Sequence, residues 1–315
     1  MRATGRPLTP GWVAGSIRAR AMLSRRVGRD GARELAACAS LGEARARLSA
    51  TAYGRALRSD ATLADAQRAV ADTVLWHVRV LAGWVLPSAL EPIRALAAWF
   101  ELANIDERVA YLCGGPVARP FALGGLATAW PQLADAQSLT ELRERLAASP
   151  WGDPGAPDRA AIRVGLRLAW ARRVLSTVEE AAEWAAGAVA LLVARELLLA
   201  ARPASVLAAA RPPGIGTAWE TASDLDALRA ALAPGAAWTL EGIDEPRELW
   251  RGEAGWWRRV EGDAERLAHA VLMGRSTVIG SVVLLAADGR RTAGALEIAA
   301  RGGRGDAMEV FDELA

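Results

Sequence analysis

Apolar residues recur at helical spacing along most of the chain. Leu63, Ala66, Val70, Val74 and Leu81 fall on one stripe, with His77 in register, and predict a long helix. Pro87 and Pro92 are expected to break that run. Ile93, Leu96, Trp99, Phe100, Leu102 and Ile105 then predict a second helix, ending at Gly114-Gly115. Ile17, Ala21, Ser24 and Arg25 predict an earlier helix starting after Pro10 and Gly15. Further helices are expected over 162–175, 178–201 and 256–273, and as two separate pieces over 276–285 and 292–301. Pro203 and the Arg211-Pro212-Pro213-Gly214 run mark loops, and 236–255 reads as an irregular connection.

The pattern contains a phrase that repeats. Residues 36–54 read AACASLGEARARLSATAYG, and residues 134–152 read ADAQSLTELRERLAASPWG. They align without a gap, with Ser40/Ser138, Leu41/Leu139, Glu43/Glu141, Arg45/Arg143, Arg47/Arg145, Leu48/Leu146 and Gly54/Gly152 identical. A third copy, ASDLDALRAALAPGAAW from Ala222, keeps Leu225, Arg229 and Leu232 in register. Thr128-Ala129-Trp130 precedes the second copy and Thr217-Ala218-Trp219 the third. Ser40 and Ser138, each with Glu three residues later, match the capping-box pattern, and Asp224 can cap the third copy. A repeat is an architectural unit. The expected fold is therefore all-α: a single domain over 1–315 made of three pseudosymmetric repeats, approximately 11–115, 120–203 and 214–315.

Composition agrees with a helical protein. Ala, Leu and Arg dominate the 315 residues, and these are strong helix formers. The basic residues other than His are all Arg. The absence of lysine excludes Schiff-base chemistry and a Walker-type phosphate lysine. Basic and acidic side chains nearly cancel, at 38 against 36, which argues against a nucleic-acid partner. Cys38 and Cys113 form no CxxC and read as reduced core thiols. The opening MRATGRPLTPGW lacks the apolar run of a secretory signal. The most apolar stretch, about 185–201, is interrupted by Arg195 and Glu196. It is expected to be a buried helix, with no bilayer span.

No chemical constellation stands out. His77 and His269 are the only histidines, and His77 reads as a core or interface residue. No HxxxH, HExxH, Cys/His cluster or GxSxG occurs, so no catalytic, cofactor-binding or metal-ligating residue is assigned. Gly302-Gly303-Arg304-Gly305-Asp306 follows a helix and reads as a C-cap and loop. Adjacent acids such as Glu179-Glu180 and Asp106-Glu107 read as solvated helix surface. Glu101 and Glu297 occupy similar apolar helices and are read as exposed helix charge, with a buried Arg pairing as the alternative. Trp76, Trp84, Trp99, Trp170 and Trp184 read mostly as core. Trp256 and Trp257 cannot both face one core, because neighbours on a helix point about 100° apart.

The order and spacing of these motifs resemble the C subunit of A/V-type ATPases, called subunit d in the vacuolar enzyme. The resemblance begins at Arg18-Ala19-Arg20-Ala21-Met22, similar to the family's Arg-rich first helix. It continues through the Ser-Leu-x-Glu phrase to Thr51-Ala52-Tyr53-Gly54, and through Trp99-Phe100-Glu101-Leu102-Ala103-Asn104-Ile105. It closes on Leu296-Glu297-Ile298-Ala299-Ala300-Arg301-Gly302, similar to the family's arginine-glycine ending. The resemblance implies a funnel-shaped, non-catalytic adaptor on the cytoplasmic face of the membrane. Its partners would be the rotor-ring proteolipids and the central-stalk subunits, and it would couple ATP hydrolysis elsewhere to ion (proton) transport. It assigns no ring-contact or stalk-contact residues. Two other readings stay open. One is a divergent stand-alone helical interaction protein of the same fold. The other is an enzyme with a Trp- and Arg-lined pocket, although no nucleophile–base pair supports it.

Overall fold

The computed structural model describes residues 10–271, 273–303 and 311, and among these residues the chain is helical with no strand. The first helices are α1 (Pro10–Leu23), α2 (Gly28–Ala36), α3 (Leu41–Ser49), α4 (Leu63–Ala82) and α5 (Leu90–Leu112). Next come α6 (Trp130–Leu133), α7 (Leu139–Ala147), α8 (Arg159–Thr177), α9 (Ala182–Ala194) and α10 (Ala204–Ala209). The last are α11 (Leu225–Ala231), α12 (Pro234–Ala237), α13 (Leu249–Ala268) and α14 (Arg275–Ala300). Short 3-10 turns join several of them. The chain divides into two compact units, one within Met1–Ile93 and Trp257–Ala315 and the other Arg94–Trp256.

In the first unit α14 is the central element, packed by α1, α2, α3 and α4. The sequence pattern predicts two pieces here, and the structure shows one unbroken helix of 26 residues. Polar residues in its middle, Asp288 and Arg291, look like an interruption in a hydrophobic pattern. Both are buried with partners, so the helix continues. Close approach to its neighbours depends on glycine. A Cβ on Gly280 would lie 2.5 Å from the Ala264 carbonyl oxygen and 2.6 Å from the Ala268 nitrogen, and one on Gly289 2.6 Å from Val74 Cγ2. Helix α1 starts at Pro10, earlier than expected, and buries Ser16, Ala19 and Met22; Ile17 and Ala21 face outward. Helix α4 follows its predicted stripe and begins with a capping box between Thr62 and Asp65.

In the second unit, α5 and α8 enclose a core with α6 and α7. Leu102, Ile105, Leu133, Leu142, Leu146, Ile162 and Leu166 meet there. Each such side chain stabilises the fold by about 1.5–3 kcal/mol. Pro92 does not break α5; it sits in the first turn, where a proline costs no hydrogen bond. The predicted run 178–201 is α9, preceded by a 3-10 turn and followed by a π-helical turn over Arg195–Leu199. Ala201, at φ 49°, ends it in left-handed backbone. The region 236–255 is partly irregular, but α13 already begins at Leu249.

Several sequence expectations are corrected by burial. Trp84 and Trp99 are each 52% exposed, while Trp184, Trp151 and Trp219 are buried. Trp256 and Trp257 are both half-buried. Cys38 is buried and Cys113 exposed, so only one thiol is a core residue. Gly302 and Gly303 have positive φ and cap α14 as expected; Arg304-Gly305-Asp306 and the N-terminal residues 1–9 lie outside the described residues. No described helix is long and apolar enough to cross a membrane.

Candidate functional site: two buried carboxylate latches

The repeated phrase folds alike in its first two copies. α3 and α7 are both nine-residue helices. Ser40 Oγ accepts from the Glu43 N–H, and Ser138 Oγ from the Glu141 N–H. The two glutamates reach back to the N–H of Ala39 and Gln137. At the far end, the hydroxyls of Thr51 and Ser149 donate to the carbonyls of Leu48 and Leu146. They also accept from the N–H of Tyr53 and Trp151. Arg47 and Arg145 each reach a partner 13 residues earlier, the Glu34 carboxylate and the Gln132 carbonyl.

Tyr53 and Trp151 thus occupy matching places, and each donates to a buried carboxylate from a long helix. The Tyr53 hydroxyl donates to Asp288 Oδ2 of α14 at 2.7 Å. The Trp151 indole N–H donates to Glu101 Oε1 of α5 at 3.4 Å. Each carboxylate also collects backbone N–H groups where a short helix begins. Asp288 accepts from Val27 at 3.1 Å and Gly28 at 2.7 Å, at the start of α2. Glu101 accepts from Thr128, Ala129 and Trp130, each at 2.6 Å, at the start of α6.

The physical reason is a missing local cap. The residues at the N-cap positions of α2 and α6 are Val27 and Ala129, which have no side-chain acceptor. The helix-start N–H groups still need partners, and a carboxylate meets both that need and the positive end of the helix dipole. Here it arrives from another helix. Glu101 is therefore not exposed, and among the described residues it is not paired with arginine, which corrects both sequence readings; it is fully buried and held by N–H groups. Glu297 is a different case. It pairs with Arg301 at the surface and receives Gln67.

The surroundings fix each latch. Asn104, one turn after Glu101, exchanges hydrogen bonds with the Phe121 backbone in both directions. Arg173 donates to the Thr128 hydroxyl. In the first unit Arg291 is buried against Glu261, which also accepts from Arg29 at 2.8 Å. Burial, then the Asp288 carboxylate, raises the Tyr53 phenol well above its ordinary range.

The third copy is built differently. Asp224 caps α11 through the Ala227 N–H, but the helix has seven residues and ends in extended backbone at Leu232, two residues before Pro234. Trp238 bonds the Gly235 carbonyl, and Gly187 of α9 packs beneath it; a Cβ there would lie 2.6 Å from Thr239 Cγ2 and 3.0 Å from Trp238 Cζ2. One device is common to all three copies. Arg45 donates to the Ala61 carbonyl, Arg143 pairs with Asp153, and Arg229 donates to the carbonyls of Leu240 and Ile243. The Arg143 guanidinium, then the Gly155 N–H, lowers the Asp153 carboxyl to about 2.

Chemically, these carboxylates are structural anchors, since backbone N–H groups and one aromatic donor occupy their oxygens. Glu196, buried in the π-helical turn, is held by Arg163 and Arg202. His77 is buried on α4, and His269 is exposed with Nδ1 near the Glu265 carbonyl. Among the described residues no group of three His, Cys, Asp or Glu side chains could hold a metal ion. Sequence reading missed Asp288 altogether. The available signal was a pair of short helices that lack a local cap. Comparison of the chain with protein-family models and with curated proteins finds no match to either.

Proposed function

We propose that this protein is a non-catalytic helical adaptor of an A/V-type rotary ATPase. In this reading it joins the rotor-ring proteolipids to the central stalk on the cytoplasmic face of the membrane. The observation that carries the proposal is the repeated Ser-Leu-x-Glu helix, closed in two copies by an aromatic residue on a buried, helix-capping carboxylate. An adaptor that passes torque needs stiff joints. A carboxylate that ties a long helix, a helix start and a phrase end together removes freedom from all three. The motif order along the chain supports the same family and implies its funnel of three repeats.

The test is a tagged pull-down from gently solubilised native membranes with partners identified by mass spectrometry. Ring proteolipid and central-stalk subunits in a stable ratio are the expected result. Recovery of the chain alone from the aqueous fraction would overturn the rotary role. It would favour a stand-alone helical interaction protein of the same fold.

A further inference from the structure

Helix α1 is apolar on two faces, and only one of them is covered. Gly15, Ser16, Ala19 and Met22 are buried on the side that packs on α14 and α4. Val13, Ile17 and Ala21 follow one another at four-residue steps and fall on the opposite side. Val13 is half-buried, Ala21 is exposed and Ile17 is 57% exposed. The outer face of a helix in water is ordinarily polar. Here no charged residue occurs from Pro10 to Ile17, and the helical turn places Arg18 and Arg20 at the two edges of the outer stripe.

The turn after α4 extends this surface. It lies close against α1 because two glycines leave room: a Cβ on Gly15 would lie 2.8 Å from Val85 Cγ1, and one on Gly11 would run into Leu86. The turn points its larger side chains outward, with Trp84 52% and Leu86 46% exposed. The Arg18 guanidinium lies 5.8 Å from the centre of the Trp84 ring and joins helix and turn. An exposed apolar surface of this kind, rimmed by arginine, marks a place of contact.

Charge selects the occupant. Residues 1–29 contain seven arginines and no Asp or Glu, in a chain whose 38 basic and 36 acidic residues almost balance. Arg20 and Arg29 are engaged within the first unit, by the Ala270 carbonyl and by Glu261. An anionic lipid surface attracts the arginines near it. Indole rings favour the headgroup level, aliphatic side chains reach the acyl boundary, and arginine stems let the charge stay in water. At 14 residues α1 is about 21 Å long, too short to cross a bilayer, so it would lie in the plane of the interface. We infer that the outer stripe of α1 and the Trp84–Leu86 turn form a docking surface for an anionic phospholipid bilayer. This surface does not depend on the rotary role, because pure lipid vesicles hold no ATPase subunit and either idea can fail alone.

The test is flotation of the purified full chain with phosphatidylcholine vesicles, with and without phosphatidylglycerol. Capture by the phosphatidylglycerol vesicles at low salt, weakened by added salt and small with phosphatidylcholine alone, is expected. Ile17→Asp should weaken capture at least about tenfold, and Leu86→Ser should weaken it severalfold. Val117→Asp makes the same charge change at a residue of the second unit that is 80% exposed, and should leave capture unchanged. Thermal melts check that each variant keeps the fold, and Leu86→Ser carries the test if Ile17→Asp melts early. Three results would each overturn the inference: vesicles that float without the protein, equal capture by both vesicle types, or equal loss in Val117→Asp. So would a dimer in sedimentation equilibrium that Ile17→Asp dissociates while vesicles capture nothing, since a second copy would then cover the face.

Discussion

The Tyr53 hydroxyl donates to Asp288 Oδ2 at 2.7 Å, although 235 residues separate them in the chain. This bond closes the first copy of a repeated phrase on a helix near the other end of the sequence. Asp288 in turn starts α2 through the N–H groups of Val27 and Gly28. Tyr53 therefore reports on whether three segments are assembled.

That assembly has an alkaline signature. The folded-state phenol of Tyr53 is raised by burial and by Asp288, so its stabilising contribution is complete below the unfolded phenol value of about pH 10. It is lost as pH rises toward the folded-state value. The chain has no lysine, and arginine stays protonated there. Tyr53→Phe should flatten the fall of denaturation midpoint above pH about 10. Cys38, whose thiol burial also pushes up, adds a slope of the same sign that the variant leaves in place. An identical pH profile in the variant would refute the assignment.

Glu101 should be the most sensitive single side chain of the second unit. Glu101→Ala strands the buried N–H of Ala129 and the part-buried N–H groups of Thr128 and Trp130, and a loss on the order of 3 kcal/mol in urea denaturation is expected. Glu101→Gln keeps an acceptor oxygen and should lose clearly less. Equal losses in the two variants would mean that packing, rather than the latch, accounts for the effect.

Two glycines of α14 should respond in opposite directions. Gly280→Ala places a methyl against the backbone of α13 and should destabilise by about 1–3 kcal/mol. Among the described residues, Gly294→Ala meets only Phe311 Cε2 at 3.9 Å and should stabilise by up to about 1 kcal/mol through helix propensity. Thermal melts of the pair decide the point; a stabilised Gly280→Ala would contradict the close helix crossing.

Ser40→Ala and Ser138→Ala remove equivalent caps and should each cost about 1 kcal/mol in chemical denaturation. A large difference between them would show that the two copies, alike in geometry, differ in the load they carry.

Phrase helices and caps were legible because their contacts are local. Ser40 and Glu43 are three residues apart, and so are Ser138 and Glu141, so pattern and structure coincide. The stripe of α4 was legible for a similar reason, since one core covers one face. The polar middle of α14 misled because periodicity registers only whether a residue is apolar. Asp288 and Arg291 stay inside because distant groups satisfy them.

The sequence by itself determined that the chain is helical, where its repeated phrase lies and how each copy begins. Those properties follow from propensity and from hydrogen bonds that span one turn. Only the tertiary structure decided that Val27 and Ala129 borrow their caps from Asp288 and Glu101. It alone decided that Trp84 and Trp99 stand exposed and that Glu101 and Asp288 are buried. These depend on which distant segments meet, and a buried carboxylate or guanidinium is held by whatever the fold brings within about 3 Å of it.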